Sequence, residues 1–211
     1  MKKSKKELYQ DELDSILQPQ IILDLNTDLV DCISGVPIAG FITKVFKAIK
    51  NFGDYNMANK LVNFLIETEN MDDKKIDKFL KKNVIGKEQN VGMRIIEILN
   101  RLNQNEKATL IGKLYRYIVE NELDIVVFFK VSHLIDATFY DDLKGILAFR
   151  DNKQLTTNNK FIDTETIESL FQNGFLTDCG FRGGTWNANE DEDSGTSFCL
   201  NKYGEILIRI V

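Results

Sequence analysis

The sequence predicts a mainly α-helical protein, with a multi-helix array in residues 1–150 followed by a small α+β module in residues 151–211. Three observations support this fold class. Both prolines, Pro19 and Pro37, lie in roughly the first fifth of the chain, so no proline interrupts the long middle. Apolar residues in that middle recur at the three-four spacing of one helix face. After Arg150 the pattern gives way to loop-like segments, which predicts a domain boundary there.

Composition and charge limit the classes of function. A chain of 211 residues can form a core that needs neither disulfides nor metal. Its single histidine, His133, cannot by itself supply a zinc site with two imidazoles or a relay of two histidines. The net charge of −5 lies wholly in residues 151–211, which contain 5 basic and 10 acidic side chains. Neither part shows the basic excess typical of a nucleic-acid binder.

The three cysteines predict a reducing compartment. Cys32, Cys179 and Cys199 are odd in number and have no CxxC spacing, so we expect isolated thiols. Packing as small apolar residues is favoured over a catalytic thiol, because only His133 could serve as the base. The lysine-rich start of the chain leads into an acidic segment and not into an apolar run, so no secretory signal is predicted. We therefore expect a cytoplasmic protein.

Successive amphipathic stripes predict the helices of the array. The stripes run over Ala58–Ile66, Ile76–Leu80, Val91–Leu102, Leu110–Val119 and Ile125–Phe129. Residues suited to a helix start are Asp54, Asp72 or Asp73, Asn105 with Glu106, and Asp124. On the last of these helices His133 and Asp136 are three residues apart, so their side chains could meet. A structural pair is favoured over a catalytic one, because no nucleophile or metal ligand is recognisable nearby.

The C-terminal module is predicted to contain a short helix, two strands and a closing helix. Asp163 can cap the short helix, and Gly174 can end it in the left-handed conformation. Strands are predicted at Phe175–Leu176 and Ser197–Leu200. Between them, Gly180–Gly195 is rich in glycine and acid, which is typical of an exposed hairpin loop.

The segment from Ser197 to Leu207 reads Ser-Phe-Cys-Leu-Asn-Lys-Tyr-Gly-Glu-Ile-Leu. With the helix and the Phe-Leu pair before it, this segment resembles the wing and final helix of winged-helix domains, which often read aromatic-x-Leu-Thr-x-x-Gly-x-x-Leu. Asn201 replaces the usual threonine and can still cap the closing helix. The resemblance covers residues 155–211 and implies a topology more than a function.

Charge argues against DNA recognition by this module. In DNA-binding members the helix before the wing enters the major groove. Here that helix is Thr164–Asn173, which carries Glu165 and Glu168 and no basic residue. The wing carries four acids at residues 190–193, and Arg182 alone cannot offset their repulsion of phosphate. We therefore expect the module to bind protein or pack against another domain, and a DNA-binding regulator is the less favoured alternative.

The acidic loop is one candidate site. Its simplest interpretation is a solvated hairpin tip. The alternatives are a docking site for a basic partner and a loose calcium site, although the spacing fits no EF-hand pattern. The candidate docking residues are Arg182, Trp186, Glu190, Asp191, Glu192 and Asp193.

A second informative stretch is Ile33-Ser-Gly-Val-Pro-Ile-Ala-Gly-Phe41, followed by Lys44, Phe46, Lys47 and Phe52. It resembles the N-terminal part of uncharacterised bacterial helical proteins, in which a basic amphipathic helix leads into a Leu/Phe/Lys-rich bundle. This resemblance covers about residues 30–150. It implies no activity and transfers no functional residue.

The helix predicted over Pro37–Phe52 has one apolar face flanked by lysines. Its uncharged part is too short to cross a bilayer, but such a helix can lie in a membrane surface. A core helix with its lysines in water is favoured, because every neighbouring helix has the same design. The candidate partner or membrane face consists of Ile38, Phe41, Ile42, Val45, Phe46, Lys44, Lys47 and Lys50.

The sequence predicts a non-enzymatic, bacterial or phage-encoded interaction or adaptor protein that binds a protein partner or a second copy of itself. It contains no P-loop, GxSxG, HExxH or dinucleotide-binding turn, and no cofactor or metal is predicted. The first alternative is a peripheral membrane protein of a defence or toxin-like system, acting at the inner membrane through the Pro37–Phe52 helix. An enzyme is less favoured. Asp141 and Asp142 lie near His133, but adjacent residues on a helix point about 100° apart and form no facing pair.

Overall fold

The computed structural model describes residues 55–68, 71–82, 91–183 and 194–211. These residues form eight α-helices, one 3₁₀ helix and one three-stranded antiparallel sheet. The predicted fold class, mainly α with a small α+β module, is confirmed. The described residues belong to two compact units that divide between Ile125 and Val126.

The described residues of the first unit form four amphipathic helices, and the predicted apolar stripes supply their shared core. Leu61, Leu99 and Leu114, for example, are almost completely buried. The four helices are α1 (Tyr55–Thr68), α2 (Asp73–Lys82), α3 (Val91–Arg101) and α4 (Asn105–Glu120).

A glycine sets the close approach of α1 and α4. A Cβ atom added at Gly112 of α4 would lie 2.8 Å from the backbone oxygen of Phe64 and 2.8 Å from Cβ of Glu67. Both atoms belong to α1, so a larger side chain would push the helices apart. The absence of a side chain at position 112 therefore fits the packing of this pair.

The helix starts follow local chemistry. Of the two candidate caps of α2, Asp72 fills the role, because its Oδ1 accepts a hydrogen bond from the Lys74 N–H at 2.9 Å. Glu106 lies in the first turn of α4 as expected, whereas the residue before that helix, Gln104, makes no side-chain cap. The predicted cap Asp54 lies outside the described residues.

The second unit combines helices with the small sheet. Its strands lie in the order β1-β3-β2, and both neighbouring pairs are antiparallel. In chain order the elements are α5 (Ile125–Ala137, whose first residue falls before the division), α6 (Tyr140–Gly145), the 3₁₀ helix (Ile146–Phe149), β1 (Leu155–Thr156), α7 (Thr164–Gln172), β2 (Leu176–Arg182), β3 (Gly195–Leu200) and α8 (Lys202–Ile210).

The grouping at Ile125/Val126 places the residues just before Arg150 in the second unit. Packing accounts for this placement. Helix α6 contacts α7, and the 3₁₀ helix contacts α8. A Cβ atom at Gly145, the last residue of α6, would lie 2.8 Å from Cδ1 of Ile162. The residues just before Arg150 therefore share a core with the sheet, although their helical pattern resembles that of the preceding array.

Local predictions in the second unit are confirmed, but the sheet is larger than predicted. Asp163 caps α7, Gly174 follows it with a φ of 82°, and Asn201 caps α8. Strand β2 extends to Arg182, into the segment predicted as a loop. Strand β1 was not predicted, because two residues carry no periodic signal and their pairing depends on distant β3.

Candidate interaction surface

Strand β2 is an edge of the sheet and is unusually exposed. In the described part of the chain it pairs with β3 alone. Its first residue, Leu176, is buried, and the six residues from Thr177 to Arg182 are all exposed. An edge strand presents backbone N–H and C=O groups that can pair with another chain. This exposure makes β2 the best-defined candidate interaction surface.

A bulge changes the direction of the outer part of β2, Gly180–Arg182. The register runs regularly to Asp178↔Phe198 and resumes, shifted by one residue, at Phe181↔Thr196. Gly180 adopts a φ of 98°, and its N–H donates to Oδ1 of Asp178 at 2.7 Å. Such a bulge bends and twists an edge strand. Because of the shift, Phe181 lies on the same sheet face as Thr196 and Phe198.

Aromatic side chains cluster on that face. Phe198 is buried, and its ring centroid lies 5.0 Å from that of Phe171 on α7. Phe171 is 40% exposed and Phe181 is 77% exposed. One buried ring and two exposed rings thus lie on this side of the sheet. Exposed apolar side chains that share one face mark interaction surfaces more often than isolated ones do.

The charges beside this surface are mainly acidic. Glu165 and Glu168 are exposed on α7, and Asp178 is exposed on β2. Arg182 is the one residue of the predicted docking loop that the structure describes, and its Nη2 donates to Oε1 of Gln154 at 3.3 Å. The other predicted members of that loop, Trp186, Glu190, Asp191, Glu192 and Asp193, lie outside the described residues.

The prediction of isolated thiols is wrong for Cys179 and Cys199. The two form a disulfide between β2 and β3, with their Cα atoms 6.1 Å apart, a usual separation for bonded cysteines. The directly paired residue of Cys199 is Thr177, so the disulfide runs diagonally to the bulge. The sequence signal was present, since the two cysteines flank the predicted hairpin loop. The odd number of cysteines favoured isolated thiols instead. The third cysteine, Cys32, lies outside the described residues.

Two further predicted groups, His133 with Asp136 and Asp141 with Asp142, lie on α5 and α6. His133 is exposed on α5. Asp141 lies in the first turn of α6, where its carboxylate is 2.7 Å from Nζ of Lys144 in an exposed ion pair. Asp142 lies in the same first turn, where acidic side chains interact favourably with the helix dipole. No group of three or more His, Cys, Asp or Glu that could hold a metal ion occurs within the described ranges.

The predicted partner or membrane face, with Ile38, Phe41, Ile42, Val45, Phe46, Lys44, Lys47 and Lys50, lies outside the described residues. Of the helices that the structure does describe, none combines the length and the apolar character needed to cross a membrane. Comparison of the chain with models of known protein families, with curated proteins and with solved structures finds no match.

Proposed function

We propose that the chain is a non-enzymatic interaction protein and that its C-terminal unit is a winged-helix-like module that docks a protein partner. One observation carries the proposal: the bulged edge strand β2 is exposed along six residues and ends beside Phe181, which is 77% exposed. Burying a large aromatic side chain of this kind on binding would contribute strongly to affinity.

The order of elements supports the winged-helix-like interpretation. Helix α7 precedes the β2–β3 hairpin, and β1 pairs with β3 on its other side. This is the arrangement expected of a wing packed beside a recognition helix. The exposed acids Glu165 and Glu168 on α7 favour a protein partner over DNA, because they would face the phosphate backbone of a duplex.

The surface suits an extended partner segment with apolar and basic side chains. An extended peptide can add to the free edge of β2 by backbone hydrogen bonds, and its alternate side chains can then contact Phe171 and Phe181. Glu165, Glu168 and Asp178 complement basic residues on the same segment. This mode needs no catalytic group and no cofactor.

The test compares three forms of the full chain as affinity baits in extracts of the source cells. Wild-type protein should retain a reproducible protein partner, and Phe181→Asp should lower its retention at least about tenfold, as loss of a central aromatic contact does. Phe139→Asp is the matched control, because Phe139 is 56% exposed but lies at the start of α6. Equal retention by all three forms, or retention of DNA with salt sensitivity in place of a protein, would overturn the proposal.

A further inference from the structure

The Cys179–Cys199 disulfide lies where β2 is held least firmly. The inner end of β2 is anchored by buried Leu176, whose backbone oxygen accepts a hydrogen bond from Nδ2 of Asn201 at 3.1 Å. Beyond the bulge, β2 pairs with β3 at Phe181↔Thr196 and Arg182↔Gly195, and the exposed Arg182 side chain also donates to Gln154. Little apolar burial therefore holds the outer part of β2, and the covalent bond beside the bulge is a major constraint on it.

We propose that Cys179 and Cys199 form a reversible thiol–disulfide site that fixes the outer part of β2 when oxidised and releases it when reduced. Its regulatory consequence rests on the proposed function, because Phe181 belongs to the released part and is the main docking side chain. Reduction should therefore weaken docking without unfolding the unit.

The solvent exposure of the two cysteines indicates which sulfur an external thiolate attacks first in thiol–disulfide exchange. Cys179 is exposed and Cys199 is half-buried, so a thiolate reaches the Cys179 sulfur first. The thiolate of an external dithiol attacks Sγ of Cys179 and forms a mixed disulfide, and Sγ of Cys199 leaves as a thiolate and takes a proton. The second thiol of the reductant then attacks the mixed disulfide, and Sγ of Cys179 leaves and is protonated. In total two electrons and two protons pass from the dithiol to the protein, and the reductant becomes a disulfide.

Trypsin cleavage after Arg182 measures how often the outer part of β2 is released. The full chain, purified without reductant, is digested briefly before and after treatment with dithiothreitol. Reduction should raise the rate of cleavage after Arg182 at least about tenfold, because cleavage follows the population of the open hairpin. Cleavage after Lys130, an exposed residue of α5, serves as the internal reference and should keep its rate.

Three variants separate the disulfide from other effects of dithiothreitol. Cys179→Ser and Cys199→Ser should each be cleaved rapidly after Arg182 with or without reductant, and their far-UV circular dichroism should match wild type. Cys32→Ser should keep the full response of the wild-type protein. The proposal is overturned if reduction leaves the Arg182 rate unchanged, or if alkylation and mass analysis find free thiols at both positions after treatment with oxidised glutathione.

The effect of reduction on partner docking is tested separately, by partner retention. The affinity experiment is repeated with dithiothreitol present, and retention of the partner by wild-type protein should fall to the level of Cys179→Ser. If the hairpin opens but retention does not change, the regulatory claim is wrong. If wild-type protein retains no partner in either state, the proposed function fails together with its regulation, whereas the digestion still decides whether the thiol–disulfide site exists.

Discussion

Thr156 and Ser197 face each other across β1 and β3, each about 1% exposed, and neither hydroxyl has a hydrogen-bonding partner among the described residues. The Thr157 N–H donates to the Thr196 oxygen at 3.0 Å. Because hydrogen-bonded and non-hydrogen-bonded pairs alternate in an antiparallel ladder, Thr156 and Ser197 form a non-hydrogen-bonded pair, in which side chains approach most closely. The sheet thus buries two hydroxyl groups that no other described residue satisfies.

We therefore expect Thr156→Val to stabilise the second unit by about 1 kcal/mol, since an unsatisfied buried hydroxyl costs about 1–3 kcal/mol and valine has nearly the same shape. The measurement is the midpoint of urea unfolding, followed by circular dichroism. Thr177→Val, at an exposed position of β2, is the matched control and should change the free energy of unfolding by less than about 0.5 kcal/mol. A lower midpoint for Thr156→Val than for wild type would contradict the prediction.

Glu122 follows α4 in the left-handed conformation, with a φ of 52°, and is the one non-glycine residue of the described chain with a positive φ. Its N–H donates to the Val119 oxygen, and the Leu123 N–H donates to the Ile118 oxygen. These two bonds form a Schellman motif, in which glycine usually occupies the position of Glu122. The glutamate is therefore held here against the conformational preference of its backbone.

Two lysines of α2 explain how Glu122 is accommodated. Nζ of Lys78 lies 2.6 Å from its carboxylate, and Nζ of Lys82 donates to its backbone oxygen at 3.2 Å. The hydrogen bond from Lys78, its charge and that of Lys82 hold the pKa of Glu122 below its usual value. Lys78 and Glu122 are both more than half exposed, however, so water and salt weaken their attraction.

Glu122→Gly should therefore leave the midpoint of urea unfolding unchanged or raise it, because relief of the left-handed backbone offsets the loss of a weak ion pair. Glu122→Val should lower the midpoint, since a β-branched side chain resists a positive φ. Glu120→Gly, at the last residue of α4, is the control. It should lower the midpoint, by at most the roughly 1 kcal/mol that glycine costs in a helix interior. A strong loss of stability in Glu122→Gly would mean that the lysine contacts dominate.

The features that the sequence predicts well are local in origin. Asp163 and Asn201 cap their helices as expected, because a cap depends on backbone groups two or three residues away. Strand β1, the bulge at Gly180 and the Cys179–Cys199 disulfide were missed, because each depends on pairing with distant β3. The candidate surface shows the same limit. The sequence indicates an acidic hairpin near Arg182, but only the bulged register places Phe181 on the sheet face of Phe198.

The stability of the second unit is expected to depend on pH through the carboxylate of Asp163, which caps α7. The Thr166 N–H donates to its Oδ1 at 2.8 Å, and the Thr166 hydroxyl donates to Oδ2 at 2.8 Å. These bonds lower the pKa of Asp163 below its ordinary value of 3.8. Since the folded pKa is the lower one, the carboxylate contributes stability above the unfolded pKa. That contribution is lost as pH falls below about 4 and through the folded pKa.

Asn at position 163 can cap the helix without titrating. At pH 7 we expect Asp163→Asn to differ little from wild type, whereas Asp163→Ala should lose about 1 kcal/mol. Between pH 4 and pH 2 the wild-type midpoint of urea unfolding should fall more steeply than that of Asp163→Asn. Parallel pH profiles for the two proteins would show that the cap does not contribute through its charge.

Asn201 uses both ends of its side-chain amide to join three segments. Its Oδ1 accepts from the N–H groups of Tyr203 and Gly204 at 2.9 and 3.1 Å, which caps α8. Its Nδ2 donates to the backbone oxygens of Gly174 and Leu176 at 2.8 and 3.1 Å, which fixes the turn between α7 and β2. A threonine at this position, as in winged-helix domains, could supply the capping oxygen but not both amide donors.

The variant Asn201→Asp removes the two N–H donors of this amide and so tests their contribution. The variant keeps the capping oxygen and places a carboxylate against two carbonyl oxygens, so we expect it to destabilise the second unit by about 1–3 kcal/mol at pH 7. At pH 3 part of the loss should be recovered, because a protonated carboxyl can donate to one carbonyl. Asn158→Asp is the control at an exposed site and should change the free energy of unfolding by less than about 0.5 kcal/mol. If Asn201→Asp is as stable as wild type at pH 7, the cap alone accounts for the asparagine, and threonine should replace it without cost.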